Sequence, residues 1–145
     1  MAKVRFHAAD RRLQIPGKTV LKAGIETIFV KEKWPLSTIS YIFCSDEYLL
    51  RINREFLAHD TFTDIITFPL SAKNEPVEAE IYISIDRVKE NAGELNQPYQ
   101  IEILRVIFHG ALHLCGYRDK KKSEKAVMRK KEDQYLRLFK QKMDR

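Results

Sequence analysis

The segment from Pro98 to Cys115 is the feature that most constrains the fold. Apolar residues occupy almost every side of a helix drawn through this segment, so such a helix must be buried. Its polar residues fall on one narrow line, at steps of three and four: Glu102, Arg105, His109 and His113. Buried polar groups need partners. A metal ion and the groups around its ligands would satisfy the whole line, whereas backbone carbonyls would account for the two histidines only.

The two histidines of this segment are followed by a glycine and an aspartate at informative spacings. Residues four apart on a helix share one face, so the imidazoles of His109 and His113 are about 6 Å apart along the axis and can reach one ion. Gly116 can end the helix in a left-handed turn that brings the Asp119 carboxylate back toward that ion. Such a histidine pair alone is more often unrelated to metal. With the glycine and the aspartate, the pattern predicts three ligands, His109, His113 and Asp119, and an open position for water.

Composition bounds the class of protein. The 145 residues, 44% of them hydrophobic, predict one globular domain over 1–145 with its own core. Cys44 and Cys115 lie in apolar surroundings, which indicates a reducing compartment. No run of about 18 apolar residues is present, and the first residues lack the apolar segment of a secretory signal. We therefore expect a cytoplasmic protein without a membrane partner; the sequence implies no oligomer.

The positive charge is concentrated after the metal motif. Residues 118–145 contain 12 Lys and Arg and 5 Asp and Glu, whereas residues 1–117 contain 14 and 15. A lysine-rich helix often has only a solvated face. Beside a metal site, however, a cationic field favours a polyanionic substrate bound through its phosphates. The predicted nucleic-acid contacts are Arg118, Lys120, Lys121 and Lys122.

Hydrophobic periodicity predicts alternating strands and helices. We expect strands at 4–8, 38–44, 63–68 and 79–84, and helices at 18–33, 45–56, from 86 to about 93, 98–115 and 123–140. The last helix is predicted to pack through Val127, Met128, Tyr135, Leu138 and Phe139. The predicted fold class is α+β: a single domain with a mixed sheet of about four strands packed against helices, the motif helix buried and the metal at the mouth of a cleft.

These segments resemble the YbeY family, the single-domain bacterial endoribonucleases that act in ribosomal RNA maturation. The family signature is His-Gly-x-Leu-His-Leu-x-Gly-Tyr-Asp-His, which this chain matches without a gap at His109, Gly110, Leu112, His113, Leu114, Gly116 and Tyr117. The upstream residues also resemble the family pattern: Ile52-Asn53, Phe56, Asp60, Thr63-Asp64, Phe68-Pro69 and the strand from Glu80 to Ser84. The similarity spans most of the domain.

Two positions depart from the family pattern. Asp119 stands in place of the last histidine of the signature, and Arg118 in place of the aspartate before it. The ligand set becomes two imidazoles and a carboxylate, for which we expect one Zn²⁺ per chain; the oxygen ligand leaves manganese, iron or nickel open. Leu57 stands where the family usually has an arginine in its cleft. Arg105, on the polar line of the motif helix, is a candidate replacement.

The resemblance implies a metal-dependent endoribonuclease that cuts single-stranded RNA. Ribosomal RNA and the small ribosomal subunit are the implied partners, with processing at the 3′ end of 16S rRNA and a role in ribosome assembly or quality control. The general base is unidentified, and water on the metal could serve. Candidate catalytic residues are Arg105 and the carboxylates Asp64 and Glu80, which are expected at the start of neighbouring strands. A zinc peptidase is disfavoured because Gly110 occupies the position of its glutamate base. The alternative is a non-catalytic, metal-stabilised ribosome-assembly factor.

Overall fold

The computed structural model describes residues 3–144. The elements in chain order are β1 (Val4–Ala8), α1 (Lys18–Lys31), β2 (Leu36–Cys44), α2 (Asp46–Leu57), β3 (Ile65–Pro69), β4 (Val77–Ser84), α3 (Ile85–Glu94), α4 (Tyr99–Leu114) and α5 (Lys122–Met143). The four strands form one sheet in the order β1-β2-β4-β3. Strands β1, β2 and β4 are parallel, and the edge strand β3 runs antiparallel to β4. The predicted α+β fold with a mixed four-stranded sheet is confirmed.

The two faces of the sheet are covered unequally. Tyr41 and Ile81 are completely buried in the main core, which also contains residues of α1, α3, α4 and α5. Side chains alternate between the faces of a strand, so Ile66 and Tyr82 point to the other face. There they pack with α2 in a smaller cluster. The main core therefore lies between the sheet and four of the helices.

Helix α4 is the buried motif helix that the sequence predicts. Nine of its residues are buried, and Tyr41 donates a hydrogen bond from its hydroxyl to the carbonyl of Ile107 at 2.9 Å. At Gly110 the helix comes close to the sheet: a Cβ there would lie 2.9 Å from Cδ1 of Ile81 and 3.0 Å from Cδ1 of Ile65. The glycine thus allows α4 to approach β3 and β4 directly beside His109.

Several predicted boundaries differ from the structure. Helix α1 ends at Lys31 rather than Lys33, because Lys33 has a positive φ of 61° and Trp34 N–H bonds back to the carbonyl of Phe29. Strand β3 begins at Ile65, two residues later than predicted, and β4 begins at Val77, two residues earlier. In α5, the prediction that Val127 packs on the core is wrong, since its side chain is 49% exposed. The buried residues of α5 are Met128, Glu132, Tyr135 and Phe139.

Among residues 3–144, no helix combines the length and the apolar character needed to cross a bilayer.

Candidate metal centre

The three predicted ligands lie together at the C-terminal end of α4. Asp119 Oδ2 is 3.1 Å from His109 Nε2, and Asp119 Oδ1 is 3.4 Å from His113 Nε2. The imidazole rings are 5.1 Å apart and nearly perpendicular, at 88°. One ligand atom from each of the three residues lies within 4.8 Å of the others. The site therefore presents two ring nitrogens and a carboxylate toward one point.

A glycine turn brings Asp119 to the histidines. Gly116 has a φ of 93°, a conformation that favours glycine. Its N–H bonds to the carbonyl of His113 at 3.0 Å, and the N–H of Tyr117 bonds to the carbonyl of Leu112 at 3.2 Å. This pair of bonds defines the Schellman termination of a helix. The predicted turn is thus present, and it reverses the chain after α4 so that Asp119 faces back toward His109.

A buried carboxylate on α5 holds the first histidine. Glu132, whose side chain is 6% exposed, lies with Oε2 at 2.7 Å from His109 Nδ1. A proton on Nδ1 donated to Glu132 leaves the lone pair of Nε2 directed at the site. Glu132 was not among the residues predicted from the sequence. An available signal was its position on the buried face of α5, four residues after Met128 and three before Tyr135, where a carboxylate needs a partner.

The electrostatics of the site suit a cation. Burial lowers the pKa of His109, but the Glu132 and Asp119 carboxylates outweigh that effect and hold its pKa above the ordinary histidine value. Asp64 adds to this negative potential. A divalent ion would be attracted by the same carboxylates that stabilise the imidazolium.

The arginine proposed as a replacement is held by carboxylates. Arg105 donates to Glu132 Oε1 at 3.0 Å and to Asp133 Oδ1 at 2.8 Å, and its side chain is 13% exposed. It lines the cleft beside the metal site. The structure thus makes Arg105 the partner of Glu132, and a direct contact with substrate stays a prediction.

The two candidate carboxylates lie in different environments. Asp64 precedes β3, lines the cleft, and has a pKa raised by burial. Glu80 does not begin its strand: it is the fourth residue of β4 and pairs with Phe68. Because Ile81 faces α4, its neighbour Glu80 points to the opposite face of the sheet. Glu80 therefore points away from the metal site and lies outside the cleft lining, so it is not placed to act as a catalytic residue there.

The cleft next to the metal site has a volume of about 1020 Å³. One side is formed by the end of α2, the loop after it and β3; the other is formed by α4, Asp119, Lys120 and α5. Of the four predicted nucleic-acid contacts, Lys120 lines this cleft, whereas Arg118, Lys121 and Lys122 are exposed and lie outside its lining. Arg129 of α5 also lines the cleft, as a cation that was not predicted from the sequence.

A second carboxylate, with a side chain that is 11% exposed, fixes the segment that carries Asp119. Glu32, at the end of α1, accepts hydrogen bonds from the Tyr117 hydroxyl at 2.6 Å, the Tyr135 hydroxyl at 2.5 Å and Lys131 Nζ at 3.2 Å. Burial alone would raise the pKa of Glu32, but these three donors lower it below the usual glutamate value. The network joins α1 and α5 to the turn two residues before Asp119.

We expect Glu32→Gln to lower the free energy of unfolding by about 1–2 kcal/mol at neutral pH, because an amide cannot accept all three bonds of the carboxylate. A depressed folded-state pKa contributes stability that is full above the unfolded pKa and is lost as the pH falls through the folded value. The difference between wild type and variant should therefore shrink on acidification below about pH 4. Denaturant unfolding across pH measures this, with the exposed Glu55→Gln as control. A difference that is independent of pH would contradict the charged network.

The residues present fit a bound metal ion. Two imidazoles and a carboxylate are ligands that zinc and other divalent transition metals accept, and three protein ligands leave a position for water or substrate. The contact of His109 with Glu132 is the usual arrangement behind a metal-bound histidine. His109, His113 and Asp119 would hold the ion.

Fold and site together define a small α+β protein with a candidate three-ligand metal centre at the mouth of a cleft. The family model described as Endoribonuclease YbeY matches residues 5–140. The chain belongs to the endoribonuclease YbeY family, and the resemblance seen in the sequence is confirmed.

Relatives with the name Endoribonuclease YbeY match this chain over nearly their whole length. An Endoribonuclease YbeY from Cytophaga hutchinsonii is 47% identical over 93% of this chain and 94% of its own. One from Porphyromonas gingivalis is 42% identical over 94% of this chain and 89% of its own. Among solved structures, the solution structure of a Thermotoga maritima protein matches with a TM-score of 0.66 and 29% identity, over 97% of this chain and 91% of the other.

Proposed function

We propose that this chain is a metal-dependent endoribonuclease that cuts single-stranded RNA. The observation that carries the proposal is the convergence of His109, His113 and Asp119 beside a cleft that also contains cationic side chains. Three ligands on a cleft favour chemistry over a purely structural ion, because structural sites are usually closed by four. The names of the family and of its relatives support the enzyme and do not favour the non-catalytic assembly factor.

The side chains of the site would have different roles in hydrolysis of the RNA. When bound, the metal would acidify a water molecule and polarise a phosphoryl oxygen of the RNA. Glu132 orients His109 and keeps its Nε2 available. Lys120 and Arg129 attract the phosphates. Asp64, which lines the cleft and has a raised pKa, is the candidate that could accept a proton there.

The finer assignment follows the family resemblance. We propose Zn²⁺ as the ion, ribosomal RNA in the small ribosomal subunit as the substrate, and the 3′ end of 16S rRNA as the region processed. The role would then lie in ribosome assembly or quality control, in the cytoplasm. The free thiols of buried Cys44 and Cys115 support a reducing compartment.

The assay for this function uses purified, metal-replete protein. We expect it to cut a single-stranded RNA containing the 3′ region of 16S rRNA and to leave a fully paired RNA of equal length largely intact. Chelation should stop the reaction, and added Zn²⁺ should restore it. Product analysis on a sequencing gel measures both. Cleavage that continues after complete removal of the metal would contradict the proposal, as would binding of the RNA with no cleavage by loaded protein.

A further inference from the structure

One side of the cleft carries apolar side chains that the proposed chemistry does not use. Leu57 at the end of α2 and Phe62 in the loop after it are 41% and 52% exposed, and both line the cleft. Pro69, at the end of β3, lines it as well. Single exposed apolar residues are ordinary on protein surfaces. Here three of them face the same cleft, and we refer to Leu57, Phe62 and Pro69 as the apolar wall.

Hydrogen bonds to Asn53 hold the loop that contains Phe62. Asn53, 3% exposed, donates from Nδ2 to the carbonyl of Thr61 at 2.9 Å, and its own carbonyl accepts the N–H of His59 at 3.1 Å. The guanidinium carbon of Arg87 lies 4.9 Å from the centroid of the Phe62 ring, within the range of a cation–π contact. Phe62 is therefore an anchored aromatic side chain that contacts Arg87, is about half exposed, and forms part of the cleft lining.

The charges of the cleft determine which ligand suits this wall. Lys120 and Arg129 lie on the side formed by Asp119 and α5. A single RNA strand has phosphates along one edge and bases that can turn away from them. Phosphates held by the two cations would let the bases reach the apolar wall. Through Lys120, Arg129 and the apolar wall, a single RNA strand can contact both sides of a cleft whose lining also includes the carboxylates Asp64, Glu102, Asp119 and Glu132.

We propose that the apolar wall is a nucleobase subsite, in which an unpaired base of the RNA stacks on Phe62 and contacts Leu57 and Pro69. This inference rests on the proposed function, because it requires RNA in the cleft. Every base has a π-face, so stacking discriminates little between sequences. In a duplex the base faces are already stacked on one another. The subsite would therefore select unpaired RNA while leaving the choice of sequence to other contacts.

The test compares two probes that share their charge and differ in their bases. Metal-replete protein is titrated with a fluorescent 2′-O-methyl oligouridylate and with an abasic chain of equal length, and gels confirm that both stay intact. Phe62→Ala should weaken binding of the oligouridylate about tenfold and leave binding of the abasic chain unchanged. Phe62→Trp should restore binding. The matched control is Phe56→Ala, since Phe56 is 68% exposed and lies outside the cleft lining.

The salt dependence separates base contacts from phosphate contacts. Phe62→Ala should leave the slope of log affinity against log salt concentration unchanged. Lys120→Gln should make this negative slope shallower by about 0.7 for both probes. Thermal unfolding midpoints of Phe62→Ala and Phe62→Trp close to that of wild type show that the changes in binding do not reflect folding.

The results distinguish the subsite from the activity. Equal weakening for both probes, or none for either, would overturn the subsite even if the wild-type protein cuts RNA. Base-dependent binding through Phe62 by a loaded wild-type protein that cuts no RNA would support the subsite and overturn the proposed activity.

Discussion

Replacing His113 with alanine is expected to reduce kcat/KM for RNA cleavage by about a thousandfold or more. A bound metal stabilises the transition state by several kcal/mol, and each 1.36 kcal/mol corresponds to a factor of about ten in rate. Removal of one of three ligands leaves His109 and Asp119, which cannot hold the ion in the same way. The His113 side chain is 37% exposed, so its loss should not disturb the core. Steady-state cleavage of a single-stranded RNA measures the effect.

The matched control for this variant is His7→Ala. His7 is an exposed residue of the edge strand β1, and it lies outside the lining of the cleft. Its replacement should leave kcat/KM within about twofold of wild type, because surface substitutions far from special contacts have small effects. Undiminished cleavage by His113→Ala, with both variants folded as wild type, would show that the reaction does not depend on this site.

Glu132→Ala is expected to have a large effect on both metal affinity and stability. Its carboxylate holds His109 in place. Loss of such a contact typically weakens metal affinity by about 10- to 100-fold. Arg105, 13% exposed, would lose a buried partner. Breaking a buried ion pair costs about 3 kcal/mol or more in the free energy of unfolding. Metal titration and denaturant unfolding measure the two effects, the latter without metal because bound metal itself stabilises the folded state.

Two further variants separate the roles of this carboxylate. Glu132→Gln retains the volume and one acceptor oxygen. It should therefore lose less stability than Glu132→Ala and still lower the metal affinity. Asp133→Ala removes the other partner of Arg105, a side chain that is 46% exposed, and should cost less than about 1 kcal/mol. Unchanged metal affinity in Glu132→Ala would contradict the positioning of His109 by this residue.

Local patterns in the sequence predicted the ligand-bearing part of the site. The all-round apolar character of α4 required burial, and the spacing from His109 to Asp119 needed only helix geometry and a glycine turn to bring the ligands together. Both are short-range properties of the chain. For the same reason the turn at Gly116, with its φ of 93°, was predictable.

Tertiary packing decided the parts that the sequence did not predict. Glu132 contacts His109 from another helix, 23 positions along the chain, so no local spacing revealed it. The alternating polar and apolar residues of β4 place Glu80 and Ile81 on opposite faces of the sheet. They do not determine which of the two faces packs against α4. Likewise, the count of lysines after residue 117 could not show that Arg129 rather than Lys121 would line the cleft. These assignments depend on how helices dock on the sheet.

Elemental analysis of purified protein tests the central claim most directly, since that claim is the sharing of one ion by His109, His113 and Asp119. The wild type and the exposed control Asp144→Ala should each contain about one transition-metal ion per chain, and Asp119→Ala should be largely depleted at equal total metal. Equal metal content in all three proteins would contradict a site that requires the Asp119 carboxylate.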